Sequence, residues 1–122
     1  MQDEVLYSDD PLRVYLTEVG KVPSMDRDEE IKCIEHARAS DQLGEAARTR
    51  LVEAHLRHVV SLAEVSQTDR IHILDLIEQG NNGLLEAVDK LNSCTQDSFW
   101  PFARVFVERA IAQVHASGSA SP

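Results

Sequence analysis

The hydrophobic pattern is clearest in the middle of the chain, between residues 74 and 91. Apolar side chains recur there at spacings of three and four, which is typical of an amphipathic helix. They are Leu74, Ile77, Leu84, Leu85, Val88 and Leu91. The other side carries polar and acidic residues, namely Asp75, Glu78, Asn82, Glu86 and Asp89. The pattern therefore predicts a helix with one buried face and one acidic, exposed face.

Two glycines lie within this predicted helix. Gly80 and Gly83 should each cost about 1 kcal/mol relative to alanine in a helix interior. A helix that keeps both is expected to use them where a neighbouring backbone approaches closely. The alternative is a loop at residues 79–83 that divides the segment into two short helices.

Two helices are predicted before the central one from their boundary residues. Asp10 is a suitable N-cap, and Pro11 occupies the first helical position, where proline is tolerated. Gly20 is expected to end this helix in the left-handed conformation. Asp26 and Glu29 have the spacing of a capping box, which opens the next helix.

Two longer amphipathic segments complete the pattern. A helix over residues 45–65 has its apolar stripe at Val52, Leu56, Val59, Val60 and Ala63. A last helix ends near His115, and its stripe is Phe99, Phe102, Ala103, Phe106, Val107, Ala110 and Val114. We therefore expect a single all-α domain of about five helices at residues 10–115. A mobile acidic lead-in at residues 1–9 and a disordered tail at residues 116–122 flank it.

Composition narrows the functional classes. Hydrophobic residues make up 43% of the chain, and no apolar run approaches the ~20 residues of a membrane span. The acidic N-terminus lacks the features of a signal peptide, and the distant Cys33 and Cys94 fit free thiols in a reducing cytoplasm. The net charge of −9 favours a basic protein surface as partner over bare nucleic acid.

Catalytic and metal chemistry find little support in the sequence. His55 and His58 lie three residues apart on one helix face, but zinc would require further ligands that the spacing does not indicate. No nucleophile–base arrangement or glycine-rich phosphate loop is apparent. We expect no metal, no cofactor and no enzymatic activity.

The central stretch also carries a resemblance to a known family. It reads Asp75-Leu-Ile-Glu-Gln-Gly-Asn-Asn-Gly-Leu-Leu-Glu-Ala-Val88. This resembles the Asp-Leu-Ile-Gln-Glu-Gly-Asn-x-Gly-Leu-x-x-Ala-Val motif in conserved region 2 of bacterial housekeeping sigma factors. The Gln-Glu pair of the family is reversed here as Glu78-Gln79, which changes the residue presented to a partner.

Two further blocks match in the order of the family. Asp10-Pro-Leu-Arg-Val-Tyr-Leu-Thr-Glu-Val-Gly20 resembles region 1.2, and Leu51-Val-Glu-Ala-His-Leu-Arg-His-Val-Val-Ser-Leu-Ala63 resembles region 2.1. The resemblance covers residues 10–114 and implies a sigma region 2-like helical bundle, regions 1.2 to 2.4. The later domains of the family are absent from this sequence, which is therefore either part of a longer factor or a minimal one.

In the family, the central helix docks on the clamp of the largest subunit of RNA polymerase. An acidic ridge suits a basic groove on such a partner. The resemblance and the polar face together give the candidate polymerase-binding residues Asp75, Glu78, Gln79, Asn81, Asn82 and Leu85. The alternative is a solvated polar face without a partner.

The following helix of the family captures the melted minus-ten promoter element, with rings stacking on bases and cations following phosphates. Here it reads Phe99-Trp-Pro-Phe-Ala-Arg-Val-Phe-Val-Glu-Arg-Ala-Ile111. Val105 replaces a tryptophan of the family pattern, Glu108 replaces its arginine, and residues 92–97 contain no cation. The candidate DNA-contacting residues are Phe99, Trp100, Phe102, Arg104, Phe106 and Arg109. A bland alternative for Trp100 is a partly exposed residue at a helix start.

The leading hypothesis is a sigma-like transcription initiation factor that binds core RNA polymerase and single-stranded minus-ten promoter DNA. The alternative is a regulatory decoy or adaptor that occupies the polymerase, or an anti-sigma factor, without reading DNA. A third possibility is an acidic helical interaction module unrelated to transcription. The acidic balance and the charge reversal at Glu108 favour the second hypothesis.

Overall fold

A computed structural model describes residues 10–68, 71–94 and 98–120. Within these ranges the chain forms five α-helices, which confirms the all-α fold class. They are α1 (Pro11–Lys21), α2 (Arg27–Ala37), α3 (Gln42–Ser66), α4 (Ile73–Asp89) and α5 (Phe99–Ala120), with a short 3₁₀ turn at Leu91–Ser93. The predicted lead-in at residues 1–9 lies outside the described ranges. No helix of the described part is both long enough and apolar enough to cross a membrane.

Short-range hydrogen bonds begin the first helices where the sequence predicts. The Leu12 N–H donates to the Asp10 carboxylate at 3.1 Å at the start of α1. At the start of α2, the Glu29 N–H donates to Asp26 at 2.8 Å, and the Asp26 N–H donates to Glu29 at 3.3 Å. The predicted capping box is therefore confirmed, and both partners satisfy otherwise unpaired helix N–H groups.

Two predicted helix ends differ from the structure. Gly20 does not adopt the left-handed conformation, since no glycine in the described ranges has a positive φ. Instead α1 continues to Lys21 and ends at Val22, whose backbone is extended ahead of Pro23. At the other end of the chain, α5 continues to Ala120, beyond the end predicted near His115. No proline interrupts it there, and a single glycine within a helix costs only about 1 kcal/mol.

The core forms where α4 packs between α3 and α5. Its largest fully buried side chains are Leu51, Val59, Leu76, Leu84, Phe99 and Val107. A Cβ atom built on Gly83 would lie 2.6 Å from the Phe106 carbonyl oxygen, so glycine allows the backbones of α4 and α5 to approach closely. A Cβ on Gly80 would lie 2.6 Å from Cγ1 of Val59. The predicted close approach of a backbone is confirmed at Gly83, whereas Gly80 meets side chains only. The alternative loop at residues 79–83 is wrong because α4 is continuous.

Candidate functional site

The outward face of α4 carries a row of acidic and amide side chains. Asp75, Glu78, Asn82 and Glu86 follow one another at spacings of three and four residues, which places them on one side of the helix. All four are exposed, whereas the other side of α4 is buried against α3 and α5. This row will be called the α4 outer face. It is a polar surface that the described part of the chain leaves exposed.

Leu85 lies beside this face and is 50% exposed. The predicted apolar stripe had placed it in the core, and that placement is wrong. Leu76, on the opposite side of the helix, is fully buried instead. Leu85 lines an open groove of about 270 Å³ between α3 and α4. The other residues lining the groove are Glu45, Arg48, Thr49, Val52, Glu53, Val88 and Asp89.

The two remaining candidates on α4 are half-buried. The Gln79 side-chain oxygen accepts a hydrogen bond from Asn82 at 3.4 Å, so both belong to the same surface. Asn81 lies at the edge of α4 and donates to the Tyr15 hydroxyl of α1 at 3.1 Å. The side-chain oxygen Oδ1 of Asn81 is buried and has no hydrogen-bond partner among the described residues. Asn81 therefore also serves the contact between α1 and α4.

Helix α5 divides its aromatic residues between core and surface. Phe99 is fully buried, so its assignment as a DNA contact is wrong: its ring is part of the hydrophobic core. Trp100, Phe102 and Phe106 are half-buried. The Phe102 and Phe106 ring centroids lie 5.3 Å apart, and the Arg109 guanidinium lies 5.7 Å from the Phe106 centroid. Trp100 and Arg104 lie on one side of the buried face of α5, and Phe102, Phe106 and Arg109 lie on the other. These five candidate DNA contacts outside the core will together be called the α5 strip.

One cation of this strip is paired within the helix. Nε of Arg104 lies 3.0 Å from a carboxylate oxygen of Glu108, four residues further along α5. Both side chains are about half exposed, and such i,i+4 pairs are worth about 0.3–0.5 kcal/mol. A phosphate could displace Glu108 at that small cost, but until then the pair reduces the positive charge of the strip.

The contacts of a histidine pair, with His55 buried and His58 exposed, were missed by the sequence analysis. His55 on α3 contacts Glu30 of α2 and the Phe99 ring of α5, and His58 stacks on the Trp100 indole. The sequence shows only that the two histidines share a helix face. Their partners on α2 and α5 are distant in the chain, so no local signal could have identified them.

Burial is the main cause of the pKa shifts of His58 and Cys33. Burial, with the nearby His55 and Arg57 as smaller causes, lowers the pKa of His58. Burial also raises the pKa of the Cys33 thiol, which donates to the Ala47 carbonyl at 3.3 Å. Among the described residues, no three histidine, cysteine or acidic side chains are grouped as metal ligands.

Comparison with known proteins places these surfaces in a family context. The chain is 40% identical over 108 residues to the "RNA polymerase sigma factor SigA" of Lactococcus lactis subsp. cremoris, and 39% identical over 108 residues to that of Clostridium acetobutylicum. The sigma factor SigA of a Bacillus species is 37% identical over 107 residues. No family model matches the chain.

These alignments cover 88% of the chain but only 28–30% of each relative. The chain thus spans less than a third of the length of the curated relatives it matches. The resemblance to housekeeping sigma factors, predicted from three motif blocks, is confirmed over most of its length.

Proposed function

We propose that this chain, similar to housekeeping sigma factors over most of its length, acts as a sigma-like transcription initiation factor that docks on the clamp of core RNA polymerase. The observation that carries the proposal is the α4 outer face with Leu85 beside it. The buried side of α4 is fully used by the core, whereas Asp75, Glu78 and Asn82 are exposed. Action in the cytoplasm, without enzymatic chemistry, follows from this role.

The composition of this surface fits a protein partner. Interfaces commonly combine a desolvated apolar anchor with a polar rim. Leu85 can provide the anchor, and the acidic residues around it provide the rim. Because the chain has a net charge of −9, a basic clamp surface would be attracted over a distance of about a Debye length.

A charge reversal tests the docking assignment. Glu78→Lys places a cation in the α4 outer face. We expect about tenfold weaker binding to core polymerase, chiefly because association becomes slower. The affinity should also depend less on salt concentration. Glu35→Lys is the matched control, since Glu35 is an exposed glutamate on α2. Equal binding of both variants and the wild type would count against docking through α4.

The α5 strip supports the second part of the proposal, a contact with the single-stranded minus-ten element. It presents Trp100, Phe102 and Phe106 for base stacking and Arg104 and Arg109 for phosphates, which are the groups that single-strand binding requires. Trp100 is the single tryptophan of the chain and serves as a probe. Its fluorescence should respond to a minus-ten oligonucleotide in the presence of core polymerase, and less so at high salt.

A decoy or adaptor that binds polymerase, or an anti-sigma factor, without reading DNA is the second candidate function. The pairing of Arg104 with Glu108 favours it, because it reduces the positive charge available to phosphates. The burial of Phe99 leaves one ring fewer among the candidate DNA contacts. Polymerase binding with no response of Trp100 to any oligonucleotide would select this function.

A further inference from the structure

Glu30 connects α2 to the first residue of α5. One carboxylate oxygen of Glu30 lies 3.1 Å from Nε2 of His55 on α3. The other accepts a hydrogen bond from the backbone N–H of Phe99 at 3.4 Å. The N–H groups of the first helical turn have no partner within the helix, and a carboxylate is favoured there by the helix dipole. Glu30 therefore acts as an N-terminal cap supplied by a distant helix.

His55 holds this carboxylate in place. Its Nδ1 lies 2.7 Å from the Leu51 carbonyl oxygen, which can only accept, so Nδ1 carries a proton. The contact between Nε2 and Glu30 then requires one further proton between the two groups. The pair is electrically neutral overall, whichever partner holds that proton. With 5% and 14% of their side chains exposed, His55 and Glu30 are well shielded from water.

The rings of the same cluster determine the surroundings of Trp100. The edge of the Phe99 ring contacts His55, with centroids 5.1 Å apart. The indole of Trp100 stacks on His58 at 4.8 Å, and its plane is within 9° of the His55 plane. His58 lies at the surface and Trp100 is half-buried. The stack therefore links the buried pair to an aromatic surface at the start of α5.

We propose that Glu30 and His55 are positioning residues that hold the start of α5, so that Trp100 and His58 form a preformed platform on which one unpaired nucleotide base stacks. The inference rests on the proposed DNA contact and names the group that makes it. A platform ordered before binding avoids the entropic cost of immobilising the indole in the complex.

Trp100 fluorescence tests the positioning without any partner. Glu30→Ala removes both hydrogen bonds, and we expect a red-shifted emission and stronger quenching by acrylamide as the indole loses its fixed stack. Glu30→Gln should restore the wild-type spectrum, because its amide can accept from Phe99 and donate to a neutral His55. Glu35→Ala is the matched control on the same helix. A folded Glu30→Ala variant with an unchanged spectrum overturns the positioning role.

The pH profile supplies a signature that a purely structural role would not give. Burial holds the pKa of His58 below its ordinary value, and its protonation at low pH brings a cation against the indole. The groups that face His58 are His55 and Arg57 from α3 and Glu30 from α2, while α5 contributes the uncharged Trp100. We expect an acid-induced step in Trp100 emission that His58→Gln abolishes. Persistence of the step in His58→Gln overturns the stack, and this surface substitution leaves the buried pair intact.

A minus-ten oligonucleotide with core polymerase tests the platform itself. Trp100→Ala should weaken binding about tenfold, and Trp100→Phe should retain most of it, since stacking on one aromatic ring is worth about that much. Wild-type binding with no loss in Trp100→Ala overturns the platform alone. No binding by the wild type, although the spectral tests succeed, shows that the proposed DNA contact has failed while the positioning holds.

Discussion

The outward surfaces of α4 and α5 differ in how far the fold itself uses them. On α4, the exposed acidic residues make few contacts within the domain, and the buried side is a separate set of residues. On α5, Phe99 belongs to the core, Trp100 stacks on His58, and Arg104 pairs with Glu108. A partner can therefore meet the α4 outer face as it stands, whereas a phosphate that binds Arg104 on α5 must first displace Glu108.

This difference also explains which departures from the family pattern matter. The reversal at Glu78-Gln79 exchanges two surface residues on a helix that keeps its packing. The replacements on α5 fall among residues that pack and residues that face outward, so they alter stability and recognition together.

The largest effect is expected from Phe99→Ala, which tests whether this residue belongs to the core or to the strip. Truncating a fully buried phenylalanine should lower the free energy of unfolding by about 3–5 kcal/mol. Urea denaturation measures the loss. Phe102→Ala, at a half-buried ring, serves as the comparison and should cost less. A smaller loss of stability in Phe99→Ala than in Phe102→Ala would show that Phe99 is not a core residue.

Gly83→Ala should have the next largest effect, because it separates the two helices that carry the surfaces. The new methyl group would meet the Phe106 carbonyl and the Val107 backbone, and such overpacking costs about 1–3 kcal/mol. Gly20→Ala is the matched control, since a Cβ there meets no atom within 4 Å. It should be neutral or stabilising by up to about 1 kcal/mol. Thermal unfolding of both variants distinguishes them.

Glu108→Gln should free Arg104 from its ion pair, so that this cation of α5 becomes available to a partner without loss of an internal contact. Because the lost pair is exposed, stability should fall by only about 0.3–0.5 kcal/mol. Affinity for the minus-ten oligonucleotide should rise severalfold, with a steeper salt dependence. Glu35→Gln has the same change in net charge at a distant exposed position. A rise in both variants would reflect net charge rather than Arg104.

Acid should lower the free energy of unfolding through His58, which packs against α5. The pKa of His58 is lowered in the folded chain, so the unfolded chain binds its proton first as the pH falls below about 6.5. Stability is therefore lost between that pH and the folded pKa, and it is unaffected above it. His58→Gln should flatten this part of the stability–pH profile. An unchanged slope would assign the acid sensitivity to other groups.

The parts of the fold that sequence could predict are those set by neighbours in the chain. Asp10 and the Asp26–Glu29 box act within a single helical turn, so their residue types suffice. The predicted stripe of α4 is confirmed at Ile77, Leu84, Val88 and Leu91, which are buried, but it wrongly included Leu85 and missed Leu76. Gly80, Gly83 and Ala87 occupy the centre of the buried side, and small residues contribute little to a hydrophobic pattern.

The sequence could predict only those candidate site residues that lie together on one face of one helix. Asp75, Glu78 and Asn82 follow from periodicity together with the family motif. The contact of Tyr15 with Asn81 and the bridge from Glu30 through His55 to Phe99 join residues far apart in the chain. Such pairings depend on the relative placement of three helices, which no local pattern encodes.

The most direct test of the docking proposal is the affinity of Leu85→Ala for core RNA polymerase. Leu43→Ala is its control, because Leu43 is also an exposed leucine, on α3. If Leu85 anchors the interface, its truncation should weaken binding about tenfold, corresponding to about 1.4 kcal/mol, while Leu43→Ala binds like the wild type. Equal affinity of the two variants and the wild type would contradict docking through the α4 outer face.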